Sequence, residues 1–278
     1  MIKLFRTLIA AVSLITMGTS LTGAAHADQL DRVKERGKLI VGIKNDYKPF
    51  GFLDSKGEII GFEVDLAKAV AKEILGSETA IELVPVVASN RIEFLNQGRI
   101  DVIFATLGRN PDRAKVIDFT NDYYMMGGVV VLAAKDTTIK AWEDLKGRKV
   151  CGIQGNMYNR PLAEKWGAET VLFPGTSEMF KAFQDSRCEA IAFDQAILTQ
   201  KANEDGWKGK YAVVLPAYEF VPIAGGLRKG EPAFQAAVNK AITAAEAAGV
   251  LTGAEKTFGM GESDFVTKQA AAAKAKTN

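Results

Sequence analysis

Strand-like and helix-like segments alternate along most of the chain, and this alternation constrains the fold more than any other feature. Short apolar runs predict strands at 38–42, 81–87, 100–105, 129–133, 149–153, 170–173, 189–193 and 211–215. Between them, amphipathic or capped segments predict helices at 61–75, 142–145, 157–166, 177–184, 196–203 and 232–249, and a short helix capped by Ser89 and closed by Gly98. Such alternation is typical of β-α-β units, so the sequence predicts an α/β fold with mostly parallel sheets.

The alternation pauses at Gly127-Gly128 and then starts again, which indicates two α/β blocks of about a hundred residues each. An apolar, glycine-containing strand at 222–227 suits a crossing between the blocks, and the long helix at 232–249 follows it. Two arrangements fit this order: two sequential domains, or a first block completed by the C-terminal helices. The tail from Lys268 onward is expected to be frayed.

The N-terminus has the three parts of a secretory signal peptide. Lys3 and Arg6 precede an apolar run at 7–17, and small residues lead to an A-x-A ending at 25–27. We therefore expect residues 1–27 to be removed after Ala27 and the protein to be periplasmic. The only histidine, His26, would leave with this segment, which excludes Ser-His-Asp catalysis, Cys-His catalysis and histidine metal ligands.

Charge and cysteine content narrow the function further. Without Lys3 and Arg6 the basic and acidic residues are equal in number, which argues against a nucleic-acid partner. Cys151 and Cys188 each lie beside a strand-like run. In an oxidising compartment they predict one disulfide, with two buried free thiols as the alternative. Two cysteines without histidine disfavour a metal site.

Candidate binding residues follow the predicted strands, because open parallel sheets bind ligands at the carboxyl ends of their strands. Arg113 follows a helix start at Asn110-Pro111, where free N–H groups and a guanidinium suit a carboxylate. A surface arginine is the alternative. Asp194 ends an apolar strand, where it could hold an ammonium group or cap the next helix. Tyr47 could stack on a ligand or belong to the core, and Lys44 follows a half-buried strand end.

The segment 61–74, GFEVDLAKAVAKEI, resembles the signature of the family 3 extracellular solute-binding proteins, periplasmic receptors that deliver polar amino acids to ABC transporters. The likeness covers roughly residues 39–258, with further matching segments at 41–42, 47–52, 98–101, 113, 118–120, 123–124, 144–147, 155 and 194. The resemblance implies the two-lobed periplasmic-binding-protein fold (type II). It favours a discontinuous lobe one (28–127 and 224–278), a lobe two at 128–223 and two crossover strands.

The resemblance also implies a binding site that closes over one amino acid. Arg113 would clamp the α-carboxylate with the Gly108 backbone and the Thr106 hydroxyl, Asp194 would take the α-ammonium, and Tyr47 would lie against the ligand. The full set of expected binding residues is Lys44, Tyr47, Phe50, Arg91, Thr106, Leu107, Gly108, Arg113, Gly155, Asn156, Met157, Tyr158 and Asp194. The expected partners are a free amino acid and an inner-membrane permease, with no cofactor and with the protein as a monomer.

The expected ligand is an acidic or small polar amino acid. The positive charges of Lys44 and Arg91 should repel lysine or arginine side chains. A lysine at 44 together with Asn90-Arg91 also resembles some cysteine or cystine receptors. Asn156-Met157 replaces the Thr-Thr or Thr-Ser pair that is common in the family, so lobe-two contacts should come from the backbone or from Asn156.

The alternative function is an exported enzyme on the same scaffold, such as a cyclohexadienyl-type dehydratase. Its acid or base would have to be Glu, Asp, Lys or Tyr, since no histidine remains. A sensor domain is a further alternative. We favour a binding protein with no reaction of its own.

Overall fold

Two five-stranded sheets organise the computed structural model, which describes residues 28–277. The expected signal peptide and its cleavage after Ala27 lie outside these residues. The strands are β1 (Leu39–Ile43), β2 (Asp46–Tyr47), β3 (Gly51–Leu53), β4 (Ile59–Ile60), β5 (Ile81–Pro85), β6 (Val102–Phe104), β7 (Asp118–Met126), β8 (Val129–Ala134), β9 (Lys149–Ile153), β10 (Glu169–Phe173), β11 (Ala190–Asp194), β12 (Tyr211–Val213) and β13 (Val221–Leu227).

Helices cover the sheets. They are α1 (Gln29–Arg36), α2 (Phe62–Leu75), α3 (Arg91–Asn96), α4 (Pro111–Ala114), α5 (Asn159–Glu164), α6 (Thr176–Gln184), α7 (Gln195–Ala202), α8 (Pro232–Ala247), α9 (Val250–Thr257) and α10 (Asp264–Thr277), with a 3-10 turn at Trp142–Leu145. Among residues 28–277, no helix is long and apolar enough to cross a bilayer.

Both sheets are mostly parallel, which confirms the predicted α/β class. The first has the order β5-β1-β6-β13-β7 and the second β10-β9-β11-β8-β12. In the first sheet only β13 runs against its neighbours, and in the second only β8 does. Strands β2, β3 and β4 form a small antiparallel sheet beside the first.

The chain passes between the two sheets twice. It leaves β7 at Met126 and enters β8 at Val129, and it returns from β12 to β13, which pairs with β7. The two crossing segments touch where Val129 pairs with Tyr218. The lobe boundaries given above stay a prediction, since sheet membership alone does not define which residues move together.

The C-terminal helices pack on the first sheet. Helix α8 contacts α2, and α10 contacts α8 and β7. The expected fraying from Lys268 is wrong: α10 continues to Thr277 because Val266, Ala270 and Ala273 bury their side chains. The alanine-rich sequence of α10 has little hydrophobic periodicity, so it did not predict a buried helix. Packing against α8 and β7 stabilises the helix.

Several helix starts differ by a residue or two from the predicted ones. Helix α2 ends at Gly76 as expected, in left-handed conformation. Helix α3 begins after Asn90 rather than Ser89, and the Asn90 side chain accepts from the Val87 N–H. Helix α6 begins at Thr176 with Gly175 as its N-cap, so the expected cap Ser177 lies inside the first turn. Where two possible capping residues lie within one or two positions of each other, the sequence does not show which of them begins the helix.

The predicted disulfide joins Cys151 and Cys188, so the free-thiol alternative is wrong. Cys151 lies in β9 and pairs with Ile191 of the adjacent strand β11, which brings the two cysteine Cα atoms to 5.6 Å. Both cysteines are buried in the core of the second lobe. The bond therefore closes a chain segment of 37 residues around β10 and α6.

Replacing both cysteines by serine is expected to lower the free energy of unfolding by about 3 to 4 kcal/mol, because the crosslink no longer restricts the unfolded chain. Chemical denaturation followed by fluorescence measures the change, with wild type under reducing conditions as a second comparison. A double variant as stable as the oxidised wild type would contradict a structural role for the bond.

Candidate functional site

A cavity lies between the two sheets, at the carboxyl ends of β1, β6, β9 and β11. The space between its walls, counted together with the part that is open to solvent, is about 290 Å³. Its walls come from both lobes and from the crossing strand β13: Tyr47, Ala88, Arg91, Thr106, Gly108, Arg113, Asn156, Met157, Tyr158, Asp194, Val221 and Ile223. The position agrees with the general location of ligand sites in open α/β sheets.

Most of the residues expected from the sequence line this cavity, and four do not. Phe50 packs against Phe62 and Tyr124 in the core. Leu107 is also a core residue, Lys44 lies behind the wall, and Gly155 reaches the site only through its carbonyl. Ala88, Val221 and Ile223 also line the cavity. The family resemblance puts Ala88 where some members carry a bulky residue over the ligand, whereas Val221 and Ile223 were not expected. A crossing strand at the cleft was the available signal for the last two.

Arg113 forms the cationic side of the cavity. Its Nη1 donates to the Gly108 carbonyl at 2.7 Å and its Nη2 to the Gly155 carbonyl at 3.2 Å. The Asn110 side chain caps α4 by accepting from the Arg113 N–H at 2.8 Å, which fixes the start of the helix. Burial lowers the pKa of Arg113 to about 9, so it stays charged at neutral pH. Within residues 28–277 no carboxylate forms an ion pair with this guanidinium.

Asp194 forms the anionic side. It ends β11 and precedes α7, yet its side chain makes no capping bond to that helix. Its Oδ1 accepts instead from the Tyr158 hydroxyl at 2.6 Å. Burial raises the pKa of Asp194 to about 6, while Tyr158, Arg91, Lys44 and Arg113 favour the ionised form. The carboxylate is therefore largely ionised at neutral pH, and it is buried at the cavity wall.

Thr106 sits at the back of the cavity in the left-handed region, with φ of +47°. That conformation is strained for a β-branched residue, and two buried charged groups hold it. The Arg91 guanidinium donates to the carbonyls of Ala105 and Thr106, and the Glu63 carboxylate accepts from the Thr106 N–H at 2.6 Å. Glu63 also accepts from the Tyr123 hydroxyl. The backbone around Thr106 is therefore fixed before any ligand arrives.

Glu63 was not expected from the sequence as part of the site. It is fully buried, and burial raises its pKa to about 7. Its second oxygen has no hydrogen-bond partner among residues 28–277. Asp65 is a second acid in the first turn of α2, and acids are common there, so the local sequence did not single out Glu63.

Lys44 is a fully buried cation behind the cavity wall. Its Nζ lies 4.3 Å from the centre of the Tyr47 ring and 4.0 Å from Asp46 Oδ1, and forms no hydrogen bond to the described residues. Burial lowers the pKa of Lys44 to about 8. Tyr47 thus separates this charge from the cavity, and the Tyr47 ring packs edge-on against Phe193 across the cleft at 5.2 Å.

The two lobes approach each other closely at Gly155. Gly155 has a left-handed backbone, with φ of +76°. A Cβ added to it would lie 2.6 Å from the Ser89 Cα and 2.8 Å from the Ala88 carbonyl carbon. Backbone from the second lobe therefore lies against backbone from the first, which is the arrangement of a closed cleft.

A small, closed cavity with one fixed cation and one fixed anion suits a zwitterion, since charge-assisted hydrogen bonds strengthen when water is excluded.

Among the described residues, no cluster of three His, Cys, Asp or Glu side chains could hold a metal ion.

Comparisons with known proteins agree with this geometry. The sequence pattern of the bacterial extracellular solute-binding proteins, family 3, matches residues 39–261. The L-cystine-binding protein of Escherichia coli K12 is 32% identical over 90% of this chain and 93% of its own. The ABC transporter glutamine-binding protein of Bacillus subtilis is 34% identical over 77% of this chain and 78% of its own. The crystal structure of a solute receptor for L-cysteine from Neisseria gonorrhoeae is 29% identical and superimposes with a TM-score of 0.78, over 82% of this chain and 92% of that one.

Proposed function

The chain belongs to family 3 of the bacterial extracellular solute-binding proteins, and we propose that it is the amino-acid-binding component of an ABC transporter. The observation that carries the proposal is the pairing of Arg113 and Asp194 in one closed cavity. Neither side chain has an oppositely charged hydrogen-bond partner among residues 28–277. An α-amino acid supplies the two missing charges in a single molecule.

Arg113 holds the ligand carboxylate in this proposal, and the Gly108 backbone and the Thr106 hydroxyl complete its contacts. Asp194, fixed by Tyr158, holds the ammonium group. Each contact is charge-assisted and desolvated, so it contributes more binding free energy than a neutral hydrogen bond would.

The second lobe supplies the remaining contacts. Asn156 and Met157 lie at the cavity wall before α5 and offer backbone and amide groups to the ligand. Tyr47 packs against the ligand from the first lobe. Because only the closed arrangement brings Arg113 and Asp194 together, the ligand favours closure of lobe one (28–127 and 224–278) on lobe two (128–223).

The ligand side chain is acidic or small and polar, with cysteine and cystine as further candidates. Arg91 lines the cavity, and Lys44 adds its field from behind Tyr47. Both charges oppose a lysine or arginine side chain. Ala88 leaves space at the wall for a larger side chain than a bulky residue would allow.

The protein works in the periplasm, released by cleavage after Ala27, and delivers its ligand to an inner-membrane permease. We propose that it acts as a monomer, binds no nucleic acid, needs no cofactor and catalyses no reaction. The relatives named above are named as binding proteins or receptors, which supports a binding function over a catalytic one.

A thermal-shift screen tests the proposal. The protein without residues 1–27 is unfolded, dialysed and refolded, so that co-purified ligand is lost, and is then heated with each common L-amino acid and with L-cystine. A ligand specific for the native state raises the melting temperature as ln(1 + [L]/Kd). We expect a shift with glutamate, aspartate, glutamine, cysteine or cystine. A shift with arginine or lysine alone contradicts the side-chain assignment, and no shift with any of them contradicts the amino-acid assignment and calls for dehydratase assays.

The pH dependence of binding provides a further prediction. The pKa of Asp194 in the free protein is raised to about 6, so below pH 6 the carboxyl group is protonated and cannot pair with an ammonium group. Ligand affinity should therefore fall by up to about tenfold per pH unit below pH 6. Isothermal titration calorimetry across pH 4.5 to 8 measures this.

Two variants check that the step belongs to Asp194. Tyr158→Phe removes the hydrogen bond that favours the ionised carboxylate, so it should move the step to higher pH. Asp194→Asn should bind weakly with no such step. A wild-type affinity that stays constant down to pH 4.5 would refute the role of Asp194.

A further inference from the structure

Asp46 and Thr176 join the two lobes at the rim of the cleft. Asp46 lies in β2, next to the first sheet, and Thr176 is the first residue of α6, which packs on β9 and β10 of the second sheet. The Thr176 N–H donates to Asp46 Oδ2 at 2.8 Å. The Thr176 hydroxyl donates to the Asp46 carbonyl at 2.6 Å and lies 3.1 Å from Oδ2.

This contact is largely buried, and it caps a helix. The Thr176 side chain is 2% exposed, and the Asp46 side chain is 21% exposed. Asp46 takes the place of a capping residue at the N-terminus of α6, where Gly175 has no side chain to do so. A Cβ on Gly175 would lie 3.0 Å from Asp46 Oδ2, so its absence leaves room for the carboxylate. The free N–H groups and dipole of a helix start favour a negative charge there.

A second charge holds the same carboxylate from the other side. Lys44 Nζ lies 4.0 Å from Asp46 Oδ1, while Oδ2 faces Thr176. Apart from this pair, Lys44 has no anionic group within ion-pair distance among the described residues. Asp46 thus bridges a buried cation of the first lobe and a helix N-terminus of the second.

Neither Asp46 nor Thr176 lines the cavity. Successive residues of a strand point to opposite faces, so Tyr47 lines the cavity and Asp46 points away from it. The bonds between Asp46 and Thr176 involve protein groups only. They contribute to closure whether or not the cavity is filled.

We propose that Asp46 and Thr176 form an interlobe latch, which holds the cleft partly closed before ligand binds and thereby sets the affinity for the ligand. The effect on affinity rests on the proposed function, whereas the effect on closure does not. Apparent affinity scales with the population of the binding-competent state, so a latch that populates the closed form raises affinity from outside the site.

Small-angle X-ray scattering of the refolded, ligand-free protein tests the latch directly. Asp46→Ala removes the carboxylate and its bonds to Thr176, and leaves only the bond from the Thr176 hydroxyl to the carbonyl of residue 46. Thr176→Val removes the hydroxyl at nearly constant volume. Both variants should have a larger radius of gyration than wild type. Thr176→Ser keeps the hydroxyl and should scatter as wild type does. Asp185→Ala, at the exposed end of the same helix, is the matched control and should also be unchanged.

Affinity for the amino acid that gives the largest thermal shift supplies the second readout. We expect Thr176→Val to weaken binding roughly three- to tenfold, because it loses the neutral hydrogen bond to the Asp46 carbonyl. We expect Asp46→Ala to weaken binding on the order of 10- to 100-fold, because it loses the charge-assisted bonds of the carboxylate. Thr176→Ser should restore wild-type affinity. If Asp46→Ala fails to fold, Asp46→Asn and Thr176→Val decide the question.

The outcomes separate the latch from the proposed function. Equal radii of gyration for the ligand-free wild type, Asp46→Ala and Thr176→Val overturn the latch, whatever the protein binds. Larger radii for the two variants support the latch even if no amino acid raises the melting temperature, in which case only the proposed function fails. Loss of affinity without a change in radius also overturns the latch.

Discussion

Replacing Arg113 by alanine is expected to weaken amino-acid binding by about 2 to 5 kcal/mol, or roughly 30- to 5,000-fold. The guanidinium is the only cation proposed to hold the ligand carboxylate. Its removal leaves that carboxylate desolvated without a charged partner, and Asp194 loses a favourable field. Isothermal titration calorimetry of the refolded variant, with the ligand found in the thermal-shift screen, measures the loss.

Arg109→Ala is the matched control for this experiment. Arg109 lies in the loop just before α4, the helix that carries Arg113, but it bonds to Asp122 and to the Thr120 carbonyl and does not line the cavity. It should retain wild-type affinity. Unchanged binding by Arg113→Ala, or equal losses in both variants, would rule out the assigned carboxylate clamp.

Replacing Gly155 by alanine is expected to prevent full closure of the cleft and to weaken binding on the order of 100-fold. The added methyl group would lie 2.6 Å from the Ser89 Cα and 2.7 Å from the Ser89 nitrogen. These are backbone atoms, so no side-chain rotation relieves the contact. The lobes must therefore stay further apart, and the Gly155 carbonyl can no longer reach Arg113.

A second glycine separates the steric effect from backbone strain. Gly147 lies in the same lobe with φ of +70°, close to the +76° of Gly155, but nothing lies within 4 Å of its Cβ position. Gly147→Ala should lose about 1 to 2 kcal/mol of stability and keep its affinity. Small-angle scattering of Gly155→Ala with ligand should show an open form. A compact ligand-bound form would contradict the role given to this close approach.

The sequence predicted the fold well where hydrophobic periodicity was strong. Helix α2 and strands such as β9 have a single apolar face or an apolar run, and their burial in the fold follows that pattern. Strand β7 was missed because polar residues interrupt its nine residues, and its pairing with β13 comes from distant sequence. Helix α10 was missed for a related reason, since its burial against α8 and β7 is decided by tertiary contacts.

In the candidate site, too, some residues could be predicted from the sequence and others could not. Arg113, Tyr158 and Asp194 follow strands or helix starts, so their convergence at one edge could be predicted. The position of Lys44 behind Tyr47 could not, because it depends on which face of a two-residue strand turns to the cavity. Glu63 and the latch between Asp46 and Thr176 are contacts between segments far apart in sequence, 43 and 130 residues respectively. No local pattern encodes them.

The most direct test of the account compares the ligand from the thermal-shift screen with two of its derivatives, the α-carboxamide and the N-acetyl amino acid. Calorimetric titration of the refolded protein gives the three affinities. If Arg113 and Asp194 hold a zwitterion, each derivative loses one charge and should bind at least about 100-fold more weakly, since one buried charge is left unpaired. Comparable affinity for either derivative would contradict the central claim that these two residues recognise the amino and carboxyl groups of a free amino acid.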